Sequence, residues 1–167
     1  MSQLKGEGTM PTLHLMVGLP CSGKTTRARQ LAQEYHAVLF TPDVWHLQLF
    51  GQDLVHPDHG RNHDMVEKIM WDTAERILQL GVDVVLDFGL WGRDERADFR
   101  NRAKALGADC RFYYMDVPQE ELLRRLEQRN QQASQDVFVI PKQEMLRYIA
   151  LFQPPMEEEI AAFGCRG

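Results

Sequence analysis

The chain has 167 residues, 44% of them hydrophobic and 26% charged, with a net charge of −5 and a pI near 5.7. That content supports one folded domain with a core and excludes a disordered chain, while the acidic balance argues against a protein that holds nucleic acid by bulk charge. Three cysteines without a C-x-x-C pair exclude a disulfide framework and fit a reducing, cytoplasmic setting, and apolar runs of strand length exclude a membrane span.

Residues 1–11 lack the apolar stretch of a signal peptide and read as a flexible leader; 12–167 read as one domain, with no internal repeat. Residues 12–17, Thr-Leu-His-Leu-Met-Val, predict a strand. Gly18-Leu19-Pro20-Cys21-Ser22-Gly23-Lys24-Thr25 follows and fits G-x-x-x-x-G-K-[ST]. A loop that wraps phosphates must turn tightly and point successive N–H groups inward, so side chains are kept clear at Gly18 and Gly23. The helix expected over 26–35 adds its unpaired N–H groups and positive dipole end. Lys24 is long enough to reach the β- and γ-phosphates, and the Thr25 hydroxyl stands where Mg²⁺ needs an oxygen ligand. The candidate nucleotide-binding set is Gly18, Pro20, Cys21, Ser22, Gly23, Lys24, Thr25 and Thr26.

Residues 37–40 predict a short buried strand that ends in Thr41-Pro42-Asp43. Asp43 has two readings: a cap for the helix expected over 44–50, or a carboxylate that orients or deprotonates an acceptor hydroxyl. That helix should be short and amphipathic. Residues 51–62 read as a polar loop, and His59 and His63, four apart, share a helix face as zinc ligands can. No cysteine or H-E-x-x-H pattern accompanies them, which favours a solvated loop or acceptor-side lid. A helix over 64–80 follows, with Met65, Ile69, Ala74, Ile77 and Leu78 as its apolar stripe and Gly81 as its stop.

Residues 82–87 predict a central parallel strand, with Asp87 placed at its end either to cap a turn or to hold Mg²⁺ directly or through water. In the helix expected over 93–106, Arg93, Arg96 and Arg100 read mostly as solvated or paired with neighbouring acids. A strand over 109–117 precedes a helix over 118–130, buried through Leu122, Leu123 and Leu126. Its Arg125 and Arg129 can clamp triphosphate oxygens or simply form a solvated face balanced by glutamates. Residues 131–136 are polar and expected to be mobile, and a last helix spans 141–152, ended by Pro154-Pro155. Of Trp45, Trp71 and Trp91, core packing is expected for at least two, and any one could stack on an acceptor.

The order predicts parallel βαβ units in an α/β, three-layer P-loop NTPase fold: a parallel sheet of four or five strands with helices on both faces. The motifs resemble the small P-loop kinases of the AAA_33 type, related to polynucleotide 5′-kinases, chloramphenicol phosphotransferase and zeta toxins. The resemblance rests on residues 17–26, on Thr41-Pro42-Asp43, on Val84-Val85-Leu86-Asp87, on the L-x-x-R-L-x-x-R segment 122–129 and on Phe152-Gln153-Pro154-Pro155. It implies that Asp43 is the general base and that Lys24 with Arg125 or Arg129 steadies the transferring phosphoryl. It further implies a lid near 118–140, ATP and Mg²⁺ as cofactors, with Thr25 and Asp87 as metal ligands, and a hydroxyl-bearing acceptor. Antibiotic, nucleoside, nucleic-acid 5′ end and sugar all stay open, and the negative net charge favours a small molecule over nucleic acid. Monomer and dimer both stay open. The chain departs from the pattern at Cys21, where the family has a glycine, and after residue 156, where only 160–163 suggests a last strand. The rivals are an ATPase or nucleotide switch without a small acceptor, and a degenerate binding module.

Overall fold

The computed structural model describes residues 10–132 and 137–166, the last three by their backbone alone. Residues 1–9 of the leader expected over 1–11, and 133–136 of the mobile segment expected over 131–136, lie outside the described residues; Gln131 ends a helix and Gln132 caps it.

Five parallel strands form one sheet in the order β2-β3-β1-β4-β5. These are β1 (Thr12–Val17), β2 (Val38–Phe40), β3 (Val84–Gly89), β4 (Asp109–Tyr114) and β5 (Gly164–Arg166). The helices are α1 (Lys24–Glu34), α2 (Pro42–Phe50), α3 (His59–Gln79), α4 (Arg93–Ala105), α5 (Gln119–Gln131), α6 (Lys142–Leu151) and α7 (Glu157–Phe163). β1 lies between β3 and β4 and is buried from Leu13 to Val17, as a strand covered on both faces must be. Alternation sorts its side chains. Leu13, Leu15 and Val17 join Val84 and Leu86 against Met70, Ala74 and Leu78 of α3 and Phe99 and Ala103 of α4. Met16, Val85 and Tyr113 point the other way, onto Ala28 and Leu31 of α1. A third cluster, Leu19, Leu122, Leu126, Phe138, Ile140 and Met145, seats α5 and α6 beside the glycine-rich loop. The described helices include none long and apolar enough to cross a membrane.

Several local expectations are corrected. Asp43 is not the cap of α2: Thr41 is, Pro42 occupies the first helical position and Asp43 sits in the first turn. Nor is α2 amphipathic in the expected sense, since it buries Pro42 and His46 and leaves Trp45, Leu49 and Phe50 exposed. α3 begins at His59, inside the expected loop, and buries Val66, Met70, Trp71, Ala74 and Leu78. Met65 and Ile69 are 47% and 51% exposed, so the apolar face is rotated by about one position from the expected stripe. Residues 160–163 are helical, and the fifth strand is the segment after them.

Arg96 is not solvated. It is buried and donates to both carboxylate oxygens of Glu159, at 2.6 and 3.1 Å, and to the carbonyls of Leu90, Trp91 and Gln153. This fork fastens α7 to the chain leaving β3.

Candidate active site

The carboxyl ends of β1 and β3 meet below the glycine-rich loop. The Gly18 N–H donates to the Gly89 carbonyl at 2.9 Å, which ties the loop to the exit of β3. Gly18 has φ +147°, and a Cβ there would stand 3.0 Å from Ser22 Oγ and 3.2 Å from the Met115 carbonyl. Gly23, at φ +95°, turns the chain into α1, whose first residue is Lys24.

β3 runs two residues past the expected end. Leu15 pairs with Leu86 but Val17 pairs with Gly89, so Asp87 and Phe88 oppose the single residue Met16. This bulge sits at the carboxylate itself, where extra twist re-aims a side chain. Asp87 Oδ2 accepts a 2.6 Å hydrogen bond from the Thr25 hydroxyl, and Oδ1 is buried without a partner. Burial pushes the Asp87 carboxyl up to about 6, against the pull of the Lys24 ammonium and the Thr25 hydroxyl. Burial likewise lowers the pKa of Lys24, opposed by Asp87 and Asp43. Its Nζ donates to the Leu19 carbonyl at 2.7 Å.

A cavity of about 720 Å³ opens above these groups. Pro20, Cys21, Gly23, Lys24, Thr25 and Thr26 line one end with Asp87, Arg125 and Arg129. Gly18 and Ser22 do not line it: Gly18 lies beneath the loop and Ser22 is buried. The two arginines hang over the loop from α5. Arg125 donates to the Cys21 carbonyl at 3.3 Å and to Glu121 at 2.7 Å. Arg129 donates to the Phe138 carbonyl at 2.8 Å, with Nη1 3.7 Å from the Cys21 thiol. Arg124 turns outward to Glu121.

The other end is walled by Asp43, His59, His63, Asp64, Trp91 and Tyr148. Asp43 is exposed, and no protein hydrogen bond holds its carboxylate among the described residues. Trp91 and Tyr148 stand 4.9 Å apart, centroid to centroid, and Trp91 donates to the Gly18 carbonyl at 3.3 Å. Trp71 is in the core, and Trp45 packs edge-on to Phe40. Sequence reasoning missed the part that Asp53 plays here. It gathers His46 and His59, each 2.7 Å from Oδ1, into a described cluster whose ligand atoms lie within 4.8 Å of one another, a grouping that the pair His59 and His63 does not make. No spacing pattern announces that group, because its members meet only when α2 packs on α3.

The sheet order, the loop and the paired Thr25 and Asp87 define a P-loop kinase-like fold of the nucleotide-binding class. Residues 13–155 match the family model AAA_33, an AAA domain, and the chain belongs to that family. No curated protein matches it. Among solved structures, a candidate kinase from Chloroflexus aurantiacus J-10-fl is similar at 16% identity with a TM-score of 0.73, over 95% of this chain and 88% of that one. A chain of the Pnkp1/Rnl/Hen1 RNA repair complex is similar at 26% identity and TM-score 0.70, over 87% of this chain and 45% of its own length. A gluconokinase from Sinorhizobium meliloti 1021 is similar at 16% identity and TM-score 0.64, over 94% and 82%.

Proposed function

We propose that the protein is an ATP-dependent phosphotransferase that moves the γ-phosphoryl group to a hydroxyl of a small molecule. The observation that carries this reading is the cavity's two-ended chemistry. Phosphate-directed groups gather at one end, and Asp43, whose carboxylate has no protein hydrogen bond among the described residues, lines the same cavity beside its acidic and aromatic wall.

Mg²⁺ fits the first end: Asp87 Oδ1 is a buried oxygen without a partner, next to a carboxylate-bound hydroxyl and an ammonium. Thr25 and Asp87 would hold the ion, which supplies positive charge to the β- and γ-phosphate oxygens. Lys24 neutralises the same oxygens, and the loop N–H groups and the dipole of α1 cradle them. Arg125 and Arg129 exchange their carbonyl contacts for the transferring group, whose charge spreads over three oxygens in the transition state. Asp43 takes the proton of the acceptor hydroxyl as that oxygen bonds to the γ-phosphorus and the bond to the β-phosphate oxygen breaks, releasing ADP. Most of the acceleration comes from positioning and charge stabilisation.

The acceptor end favours a small molecule because its wall is acidic and aromatic. The similarity to an RNA repair component keeps nucleic-acid 5′ ends in the test. Free Cys21 and Cys110 thiols go with a reducing, cytoplasmic setting. Residues 12–167 would act as one unit, with the lid near 118–140. The test is ATP consumption with Mg²⁺ by wild type and Asp43→Asn across sugars, nucleosides, amino-sugar antibiotics and RNA 5′-hydroxyl ends. Stimulation by one class, lost in the variant, is expected. Equal, acceptor-independent hydrolysis in both would leave an ATPase instead.

A further inference from the structure

One carboxylate oxygen joins the two helices of the acceptor end. Asp53 Oδ1 lies 2.7 Å from His46 Nε2 and 2.7 Å from His59 Nδ1, and Asn62 donates to Oδ2 at 3.4 Å. His46 is fully buried on α2, the helix that carries Asp43 in its first turn. His59 opens α3 and lines the cavity. Its ring is wedged: 4.7 Å from the His46 ring, 5.9 Å from His63, and edge-on to Phe138 at 5.4 Å.

This geometry fixes protons. An ionised carboxylate only accepts, so each nitrogen that meets it must carry the hydrogen. Burial alone would raise the Asp53 carboxyl, but the hydrogen bonds from His59 and His46 pull it down to about 2, which keeps it ionised. Neutral His59 is therefore the Nδ1–H tautomer, and its Nε2 is a bare lone pair on a ring that lines the cavity. Among the described residues Nε2 has no hydrogen-bond partner, and it is not a buried atom.

Two features speak against a metal in the same place. Ligand atoms around a tetrahedral ion with bonds of about 2.0–2.1 Å lie about 3.3 Å apart, wider than these contacts. A ligating histidine also gives its second nitrogen a partner, whereas His46 Nδ1 is buried with none.

We propose that His59 Nε2 accepts a hydrogen bond from the phosphoryl acceptor, with Asp53 as the residue that holds the tautomer and orientation. The acceptor then needs two donors, a reacting hydroxyl at Asp43 and a second O–H or N–H at His59, as a polyol, sugar or amino sugar has. Asp64 on the same wall adds a further hydrogen-bond acceptor. The inference rests on the kinase reading, and the two fail differently.

The test has two parts. Long-range ¹H–¹⁵N spectra of histidine-labelled protein should show His59 protonated at Nδ1, with that preference lost in Asp53→Asn. A His59 protonated at Nε2 in the wild type overturns the proposal, as does one equivalent of zinc retained at the cluster after dialysis. The second part is kinetic and uses the most stimulating compound of the acceptor panel. His59→Asn keeps a donor toward Asp53 but removes the Nε2 position, so acceptor kcat/KM should fall about ten- to a hundredfold. His59→Gln, which places an amide oxygen near Nε2, should recover most of it. Binding of a fluorescent ATP analogue checks that each variant is folded. Wild-type kcat/KM in His59→Asn overturns the role of His59 alone, while a panel that stimulates nothing in the wild type overturns the kinase reading and this role with it.

Discussion

The two ends of the cavity are built from different materials. The phosphate end is mostly backbone: one eight-residue stretch supplies the loop, the helix start, Lys24 and Thr25, and three remote side chains, Asp87, Arg125 and Arg129, complete it. The acceptor end is almost wholly side chain, assembled from α2, the loop after it, α3, the turn after β3 and α6. Phosphate is the same in every nucleotide, so a fixed backbone cradle serves. An acceptor must be told from its relatives, and that needs side chains brought together from distant positions.

Four experiments sharpen that contrast, taken from the largest expected effect down. Lys24→Ala should reduce ATP turnover by more than about 10³-fold. The melting temperature should hardly move, because the removed ammonium is one that burial disfavours. Turnover within tenfold of wild type would show that the phosphate end is not where the chemistry happens. Asp43→Asn should lower acceptor-stimulated turnover by about 10²–10⁴-fold. A drop below fivefold in steady-state assays would leave the acceptor end without its base.

The third experiment probes the frame under both ends. Glu159→Ala strands a buried guanidinium and should cost about 3 kcal/mol of unfolding free energy. Urea titration reads it, and an unchanged midpoint would mean that the carbonyls of Leu90, Trp91 and Gln153 suffice to hold Arg96. The fourth isolates the acceptor end: Asp53→Asn should cost about 2 kcal/mol at neutral pH, the worth of hydrogen bonds to a charged group. The Asp53 pKa is depressed from 3.8 to about 2 by folding, so its contribution is present above about pH 4 and is lost as pH falls through 2. The gap between wild type and variant in acid melts should close over that window. A gap constant from pH 6 to 2 would mean that the charge on Asp53 is not what matters.

The same contrast explains what could be read in advance. The strand–loop–helix opening and the parallel sheet were legible, because they follow from local spacing and from the burial of Val84-Val85-Leu86. The bulge at Asp87 was not, since it is a matter of register between two strands. The face of α3 was misjudged because Met65 and Ile69 satisfy the helical period as well as Val66 and Met70 do, and only packing against the sheet chooses between them. Arg96 looked solvated because its partner, Glu159, lies 63 residues away. His46 and Asp53 carried no signal at all: a buried histidine in a helix beside exposed Trp45 and Leu49 runs against the usual sorting by polarity, and only the fold supplies its partner.

Cys21 holds a left-handed backbone, φ +65°, at the edge of the cavity, where glycine would sit without strain. For the experimenter that residue is a built-in anchor point. Burial, and then the charge of Asp109, pushes the Cys110 thiol up to about 12, which leaves it almost without thiolate at neutral pH. With Cys165 replaced by serine, a maleimide dye would therefore settle at position 21, at the doorway to the phosphates. Nucleotide arrival and departure could then be followed as a change in emission, one molecule at a time, without adding a single cysteine to the chain.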